Sequence, residues 1–271
     1  MRRDRRSPAR TPEPLNPRTP EPPELVAAIR RQFEVSADPR YRESIQRFFK
    51  EKIDVYGVKT PDARRIYKEY FKKVKHLPKD EILEICELLH HGTKYEEHGI
   101  AFSWAGKLSK RLEASDFSVL EGWLQKYVNN WASCDTFCGG AVGDFLLRFP
   151  EFLPRLRGWA KSKNRWLRRA SAVALIQALK AAPGEGRSEK LEARTQNPFV
   201  SQAYETADVM LLDKDDMVQK GYGWMLKELA ESRPREVFEF VMACKDRMPR
   251  TALRYAIEKM PAAWKKQAMA K

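Results

Sequence analysis

The chain has 271 residues, of which 42% are hydrophobic, enough to bury a core in one extended domain or two small ones. Its formal net charge of +14 favours a polyanionic partner, above all nucleic acid, although ribosome association or simple solubility would also account for it. The sequence contains no run of 18 apolar residues and no apolar segment behind its first arginines, so it predicts neither a membrane span nor a secretory signal.

The N-terminal end predicts a disordered extension over residues 1–23, rich in proline and arginine. The first 25 residues contain six arginines, four acidic residues and seven prolines, a net charge of only +2. The remaining chain therefore carries +12. The basic character belongs to the folded part, which we expect to be a single domain over residues 24–271.

Beyond this extension the hydrophobic pattern is helical, and no alternation of β-branched residues is long enough to predict a strand. The stretch from Thr60 to Asp62 predicts a helix start, with Thr60 as the cap, Pro61 in the first turn and Asp62 at the positive end of the dipole. Apolar residues then recur at three- and four-residue spacing, at Ala63, Ile66, Tyr67, Tyr70, Phe71 and Val74.

Similar apolar stripes predict further short helices to the end of the chain, with turns at Pro150, Pro234 and Pro249. Pairs of such helices, stacked on one another, are typical of HEAT-like repeats. The predicted fold is therefore an all-α solenoid of stacked antiparallel helix pairs with a basic concave face. Residues 181–196 show the poorest pattern and are interpreted as a long connection or an insertion.

One stretch combines an aromatic residue with a carboxylate, because Trp131 and Asp135 are four residues apart and share a face on a helix. Arg165, Arg168 and Arg169 follow downstream. This set suits a cationic group held close to a phosphate backbone. Taken alone, it also fits a core tryptophan, a surface carboxylate and a solvated arginine face.

Five stretches, in this order and at this spacing, resemble the AlkD family of alkylpurine DNA glycosylases, which are built from HEAT-like repeats. The resemblance runs from about Phe33 to Met260. The stretches are Tyr56-Gly57-Val58-Lys59-Thr60-Pro61, Trp131-Ala132-Ser133-Cys134-Asp135, Val142-Gly143-Asp144-Phe145-Leu146 with Phe149-Pro150-Glu151, Trp166-Leu167-Arg168-Arg169-Ala170, and Val218-Gln219-Lys220-Gly221-Tyr222-Gly223-Trp224.

The resemblance implies a role for four residues of this chain. Trp131 and Trp224 are similar to the two aromatic residues that bracket the damaged nucleotide. Asp135 is similar to the essential carboxylate, and Arg169 to the arginine that engages the DNA backbone near the lesion. The resemblance also implies that the damaged base stays stacked in the duplex while the protein contacts the sugar and the backbone.

The expected DNA contacts include two departures from the pattern of the family. Phe48 stands where a tyrosine is often found, and Lys59 where a glutamine is often found, so substrate range and duplex contacts are expected to differ. Arg165 and Arg168 are predicted to contact phosphates, and Lys227, one turn beyond the second tryptophan, is a weaker candidate of the same kind.

The histidines and cysteines match no metal or nucleophile motif. His90, His91 and His98 lack the spacing of a zinc site, and no paired C-x-x-C is present. Cys134 and Cys138 share a helical face and are predicted to be small buried thiols. No phosphate-binding glycine loop occurs, so we expect no metal and no cofactor.

The predicted function is that of a monofunctional glycosylase that removes N3- or N7-alkylated purines from double-stranded DNA and leaves an abasic site. Alkylation makes the base a cationic leaving group, so the enzyme mainly stabilises an oxocarbenium-like sugar and admits water. Two alternatives are a helical-repeat protein that binds distorted or branched DNA without chemistry, and a protein-interaction scaffold. We expect a monomer in the bacterial-type cytoplasm, associated with the nucleoid and not with a membrane.

Overall fold

The computed structural model describes residues 21–180 and 197–270. All regular secondary structure in these two ranges is helical, which confirms the prediction of an all-α, HEAT-like fold. Residues 1–20 of the predicted extension and the predicted connection at 181–196 lie outside the described residues. Within the described part, no helix combines the length and the apolar character needed to cross a bilayer.

The α-helices follow one another at short intervals along the chain. They are α1 (Pro22–Val35), α2 (Pro39–Ile45), α3 (Thr60–Val74), α4 (Lys79–His90), α5 (Tyr95–Lys107), α6 (Phe117–Lys126), α7 (Trp131–Phe137), α8 (Gly143–Arg148), α9 (Arg155–Ala160), α10 (Arg165–Val173), α11 (Ile176–Lys180), α12 (Pro198–Val209), α13 (Asp216–Ser232), α14 (Pro234–Cys244), α15 (Arg250–Ala256) and α16 (Ala262–Met269). Short 3-10 turns occupy Gln46–Phe48, Ala114–Asp116 and Pro150–Phe152, and a π-helical segment, Cys138–Val142, joins α7 to α8.

The predicted start of the folded domain and one predicted helix start differ from the structure in detail. Helix α1 begins at Pro22, two residues before the predicted domain boundary. Helix α3 does begin at Thr60, but its N-cap is Lys59, and no side chain caps it. The prediction that Thr60 is the cap is therefore wrong, because Thr60 is already the first helical residue. Pro61 still lies in the first turn, where its missing N–H is harmless.

A single hydrophobic core extends from α1 to α16. In its central part, α7 packs against α5 and α10, α10 packs against α13, and α13 packs against α15. Each helix has an apolar face for each neighbour, so burial of that surface fixes their order. This order brings α7, α10 and α13 side by side, although they are far apart in sequence.

A buried carboxylate holds the segment between α2 and α3 against α5. Glu96 accepts hydrogen bonds from the backbone N–H groups of Tyr56, Gly57 and Val58, at 3.0, 2.9 and 3.0 Å. Gly57 has a φ of +94°, and a Cβ there would lie 2.6 Å from the Cβ of Arg42. Only glycine therefore fits this turn, which fixes the position of the preceding 3-10 turn beside α7.

Two histidines are buried together between α4 and α5. The Nδ1 atoms of His90 and His98 lie 3.0 Å apart, so one ring donates to the other. The ring of His90 also stacks on Tyr127, with centroids 4.5 Å apart. Burial lowers the pKa of His90 well below its usual value, and burial likewise lowers the pKa of His98. Both rings are therefore neutral in the folded protein near neutral pH.

This pair predicts a loss of stability in mild acid. Below about pH 6.5 the unfolded chain binds protons at both histidines while the folded protein does not, so falling pH favours unfolding. We expect the melting temperature to be constant above this pH and to fall towards about pH 5. A double variant, His90→Phe with His98→Phe, should flatten that fall. The exposed His91→Gln variant should retain it, and equal pH dependence in all three proteins would contradict the prediction.

Candidate functional site

Two of the predicted catalytic residues, Trp131 and Asp135, lie at the start of α7. The side chain of Asn130 accepts a hydrogen bond from the Ser133 N–H at 2.9 Å and so caps the helix. Trp131 is the first helical residue, and Asp135 follows one turn later. The cap thus fixes the direction in which both side chains leave the backbone. Both are half-buried, as expected for residues at the edge of a cleft.

Trp131 forms a wall together with the 3-10 turn before α3. Its indole N–H donates to the backbone carbonyl of Phe48 at 3.1 Å, and its ring stacks on Phe49 with centroids 5.7 Å apart. Phe48 itself is 57% exposed, as a residue that meets a ligand would be. The stacking role of Phe49 was not apparent from the sequence, because the two rings are more than 80 residues apart.

Asp135 is held by a bidentate ion pair. The Nε and Nη2 atoms of Arg169 donate to the two carboxylate oxygens of Asp135, each at 2.8 Å. Arg169 also donates to the backbone carbonyl of Met217 and is only 5% exposed. Burial lowers the pKa of Arg169, but the hydrogen bonds and charge of Asp135 outweigh it and raise that pKa. The two side chains therefore form one fixed unit.

The resemblance implies that Arg169 contacts the DNA backbone, but in the structure Arg169 contacts other parts of the protein. Its guanidinium faces Asp135 and Met217 rather than solvent, so in this conformation it orients the carboxylate. Gly221 of α13 permits this arrangement, since a Cβ there would lie 3.1 Å from the Cγ of Arg169. Direct contact between Arg169 and the DNA backbone stays a prediction.

Trp224 lies on α13, across the cleft from α7. Its indole N–H donates to Glu228 at 2.8 Å, one turn further along the same helix. Glu228 is buried, with the ammonium groups of Lys180 and Lys259 at 3.7 and 3.9 Å. The ring of Trp224 is therefore fixed at its N–H edge, and it lines both the cleft and a second groove with Val173 and Gln177.

A cleft of about 370 Å³ brings these side chains together. It is lined by Phe48, Trp131, Asp135, Arg169, Met217, Lys220, Trp224 and Tyr255. The structure thus unites the three predicted catalytic residues with Phe48 and Arg169. Lys220 was missed, although it precedes Trp224 by one helical turn and so shares its face. Tyr255 comes from α15, and no local sequence signal pointed to it.

The other predicted arginines lie outside this cleft and have carboxylate partners. Arg165 pairs with Glu51 at 3.1 Å and with Asp215 at 2.9 Å. Arg168 pairs with Asp213 at 2.6 Å. These contacts join α10 to the start of α13, so both arginines contribute to the structure around the site. Their proposed phosphate contacts stay predictions.

The two predicted lysines are also ion-paired outside the cleft. Lys59 lies 2.8 Å from Asp38, and Lys227 lies 3.3 Å from Glu258. The side chain of Lys59 is exposed, and an ion pair at such a position contributes little to stability, whereas the side chain of Lys227 is mostly buried. Lys59 is the more accessible of the two, and its role in DNA binding also stays a prediction.

The structure bears on the predictions made for two cysteines and for metal binding. Cys134 and Cys138 are free and buried, which confirms their interpretation as small core thiols. Burial raises the pKa of Cys138 well above its usual value, so this thiol is unreactive. Within residues 21–180 and 197–270, no group of three or more histidine, cysteine or acidic side chains is arranged to hold a metal ion.

One family model matches most of the chain. The profile of the family described as DNA alkylation repair enzyme matches residues 29–260. The fold is similar to a predicted DNA alkylation repair enzyme from Enterococcus faecalis, with a TM-score of 0.70, 15% identity, and 84% of this chain and 98% of that chain covered.

Two further solved structures share the fold. AlkD2 from Streptococcus mutans has a TM-score of 0.55 at 17% identity, covering 89% of this chain and 100% of that one. The alkylpurine DNA glycosylase AlkC from Pseudomonas fluorescens, bound to DNA containing an abasic site analogue, has a TM-score of 0.50 at 15% identity, covering 91% of this chain and 66% of that one. No curated protein sequence matches the chain.

The buried ion pair predicts a large loss of stability when its cation is removed. Arg169→Gln leaves the Asp135 carboxylate without its partner and should lower the free energy of unfolding by about 3–5 kcal/mol. Arg65 is a matched control, because its pairs with Asp62 and Glu69 are exposed. Arg65→Gln should cost less than about 1 kcal/mol. Urea unfolding of both variants checks this, and equal losses would contradict it.

Proposed function

The chain belongs to the family of DNA alkylation repair enzymes, and from this membership we propose that it is a monofunctional alkylpurine DNA glycosylase. Its reaction is hydrolysis of the bond between deoxyribose and an N3- or N7-alkylated purine in double-stranded DNA. The product is an abasic site. The observation that carries the proposal is a carboxylate, Asp135, held in a fixed orientation in a cleft that Trp131 and Trp224 also line.

The chemistry of an alkylated purine needs little from the protein. Alkylation places a positive charge on the base, so the bond from C1′ to the base nitrogen breaks with its electron pair going to the base. The base leaves neutral, and the positive charge passes to the sugar as an oxocarbenium-like cation. Water then adds to C1′ and releases a proton. The protein must stabilise the sugar cation and admit that water.

Asp135 is suited to stabilising this cation. Its charge lies opposite the developing positive charge, and an electrostatic group that is already in place needs no reorganisation during the reaction. Arg169 offsets part of that negative charge, but its two hydrogen bonds fix both carboxylate oxygens. Each carboxylate oxygen keeps a lone pair that can face the sugar or orient the water.

The tryptophans supply a second, weaker attraction for positive charge. The faces of Trp131 and Trp224 line the same cleft as the carboxylate. Each face contributes about 0.5–2 kcal/mol to binding a cation. One preorganised electrostatic group typically lowers a barrier by about 2.7–4 kcal/mol. The carboxylate is therefore expected to affect the rate more than either ring.

Duplex DNA is the proposed partner. The net charge of +14 favours it, and the AlkC structure that shares this fold holds DNA containing an abasic site analogue. Lys220 brings a positive charge into the cleft, where it pairs with Asp216 at 3.2 Å. Both side chains are half-buried, and we propose that this pair opens to accept a phosphate.

Loss of the carboxylate charge tests the catalytic part of the proposal. Asp135→Asn should lower the release of 7-methylguanine from methylated duplex DNA by about 100-fold or more, while DNA affinity stays nearly intact. Quantified release of free base and a DNA-binding titration measure the two effects. Asp62→Asn, at an exposed position on α3, is the control and should keep full activity. Near-normal release of the base by Asp135→Asn would contradict the proposal. If the unmodified protein binds DNA but releases no base, the result would favour the alternative, a non-catalytic protein that binds distorted or branched DNA.

Salt dependence tests the contact between Lys220 and DNA. If Lys220 neutralises one phosphate, Lys220→Gln should weaken DNA binding at low salt and make the slope of log affinity against log salt shallower by about 0.9. Lys68→Gln, at an exposed position on α3 outside the cleft, should leave the slope unchanged. Equal slopes for all three proteins would show that Lys220 contacts no phosphate.

A further inference from the structure

Three glutamates of this fold accept a hydrogen bond from the indole N–H of a tryptophan. The pairs are Trp123 with Glu87, Trp159 with Glu121, and Trp224 with Glu228. The rings of Trp123 and Trp159 belong to the core and are only 3% and 4% exposed. Trp224 is half-buried and lines the cleft. Of the three contacts, the one made by Glu228 therefore acts on a ring of the proposed active site.

We propose that Glu228 is a positioning residue, which holds Trp224 in the orientation that presents its face to the sugar cation and strengthens the attraction of that face for positive charge. This inference rests on the proposed function and deepens it. Glu228 is only 6% exposed, so it acts through the ring and not by contact with the substrate. The hydrogen bond from the indole N–H, at 2.8 Å, is the link between them.

The ring of Trp224 needs such a restraint because packing covers it only in part. It lines the cleft that contains Asp135 and also the groove that contains Gln177. Trp131, in contrast, is held by stacking on Phe49. Within residues 21–180 and 197–270, no aromatic ring stacks on Trp224 in the same way. The hydrogen bond to Glu228 is therefore the main contact that orients this ring.

Glu228 is itself held by parts of the chain outside its own helix. Its Oε1 atom accepts the indole N–H, and its Oε2 atom lies 3.7 Å from the ammonium group of Lys180 and 3.9 Å from that of Lys259. Lys180 ends α11, and Lys259 follows α15. The carboxylate is thus tied to α11 and to the segment after α15 as well as to α13, which makes it a fixed acceptor.

The two tryptophans of the cleft differ in the charge of their acceptors. Trp131 donates to the neutral backbone carbonyl of Phe48, and Trp224 donates to a carboxylate. Hydrogen bonds to an ionised acceptor are about twice as strong as those between neutral groups. Donation to a negative acceptor also leaves more electron density on the indole ring, so its face attracts a cation more strongly. Trp224 is therefore expected to be the stronger cation-binding ring of the two.

Binding to two abasic DNA analogues tests this role without requiring catalysis. A pyrrolidine nucleotide in duplex DNA carries a protonated nitrogen in place of the sugar cation, whereas a tetrahydrofuran nucleotide is neutral. The unmodified protein should bind the pyrrolidine duplex about tenfold more tightly. Glu228→Met removes acceptor and charge and should reduce this preference to about twofold. Glu228→Gln keeps an acceptor oxygen and should retain a preference of about fivefold.

The matched control makes the same chemical change at a core tryptophan. Glu121→Met removes the acceptor of the Trp159 indole N–H, which lies 2.7 Å away, and neither residue lines the cleft. This variant should have a lower melting temperature but keep the tenfold preference at temperatures at which it is folded. Equal loss of the preference in Glu121→Met and Glu228→Met would overturn the positioning role, and so would equal binding of the two duplexes by the unmodified protein.

Excision kinetics complete the test through a double-mutant cycle. Glu228→Met should lower kcat for release of 7-methylguanine from duplex DNA about tenfold, with KM changed less than about twofold. In a Trp224→Phe background, which lacks the N–H group, the same substitution should cause no further loss. A merely structural Glu228 would cause equal losses in both backgrounds, which would overturn the positioning role while the glycosylase proposal stands. If the unmodified protein releases no base but Glu228→Met loses the preference for the pyrrolidine duplex, the glycosylase proposal fails and the positioning role stands.

Discussion

The ion pair between Asp135 and Arg169 is the interaction on which the rest of the site depends. It joins α7 to α10, and the third contact of Arg169, with the Met217 carbonyl, joins α10 to the start of α13. One guanidinium therefore sets the relative position of the three helices that line the cleft. Loss of the Arg169 side chain would be costly, because it would remove the contacts that join these three helices.

The same pair explains how the orientation of the Asp135 carboxylate is fixed. A carboxylate free in solvent would be hydrated and mobile, and its charge would be screened by water. Two parallel hydrogen bonds from a planar group fix its orientation instead. The rings of Trp131 and Trp224 line the same cleft as this carboxylate. The proposed chemistry asks for this combination of charge, rigidity and partial burial.

Several of the positively charged side chains that were expected to bind DNA are paired with carboxylates. Arg165, Arg168, Lys59 and Lys227 all meet carboxylates from other parts of the chain, so much of their charge is offset locally. Lys220 alone among the lysines of the described residues lines the cleft. DNA affinity is therefore expected to depend on the summed field and on exchange of weak surface pairs, rather than on a row of unpaired cations.

The sequence by itself determined the helical class, the start of α3 at Thr60, and the pairing of Trp131 with Asp135, because helical periodicity and capping act over a few residues. The resemblance to a family added Trp224 and Arg169. Only the tertiary structure decided that Arg169 faces Asp135 instead of solvent, that Phe49 stacks on Trp131, and that Tyr255 completes the cleft. These contacts join residues on helices distant in sequence, and their geometry comes from packing of the common core, which no local pattern encodes.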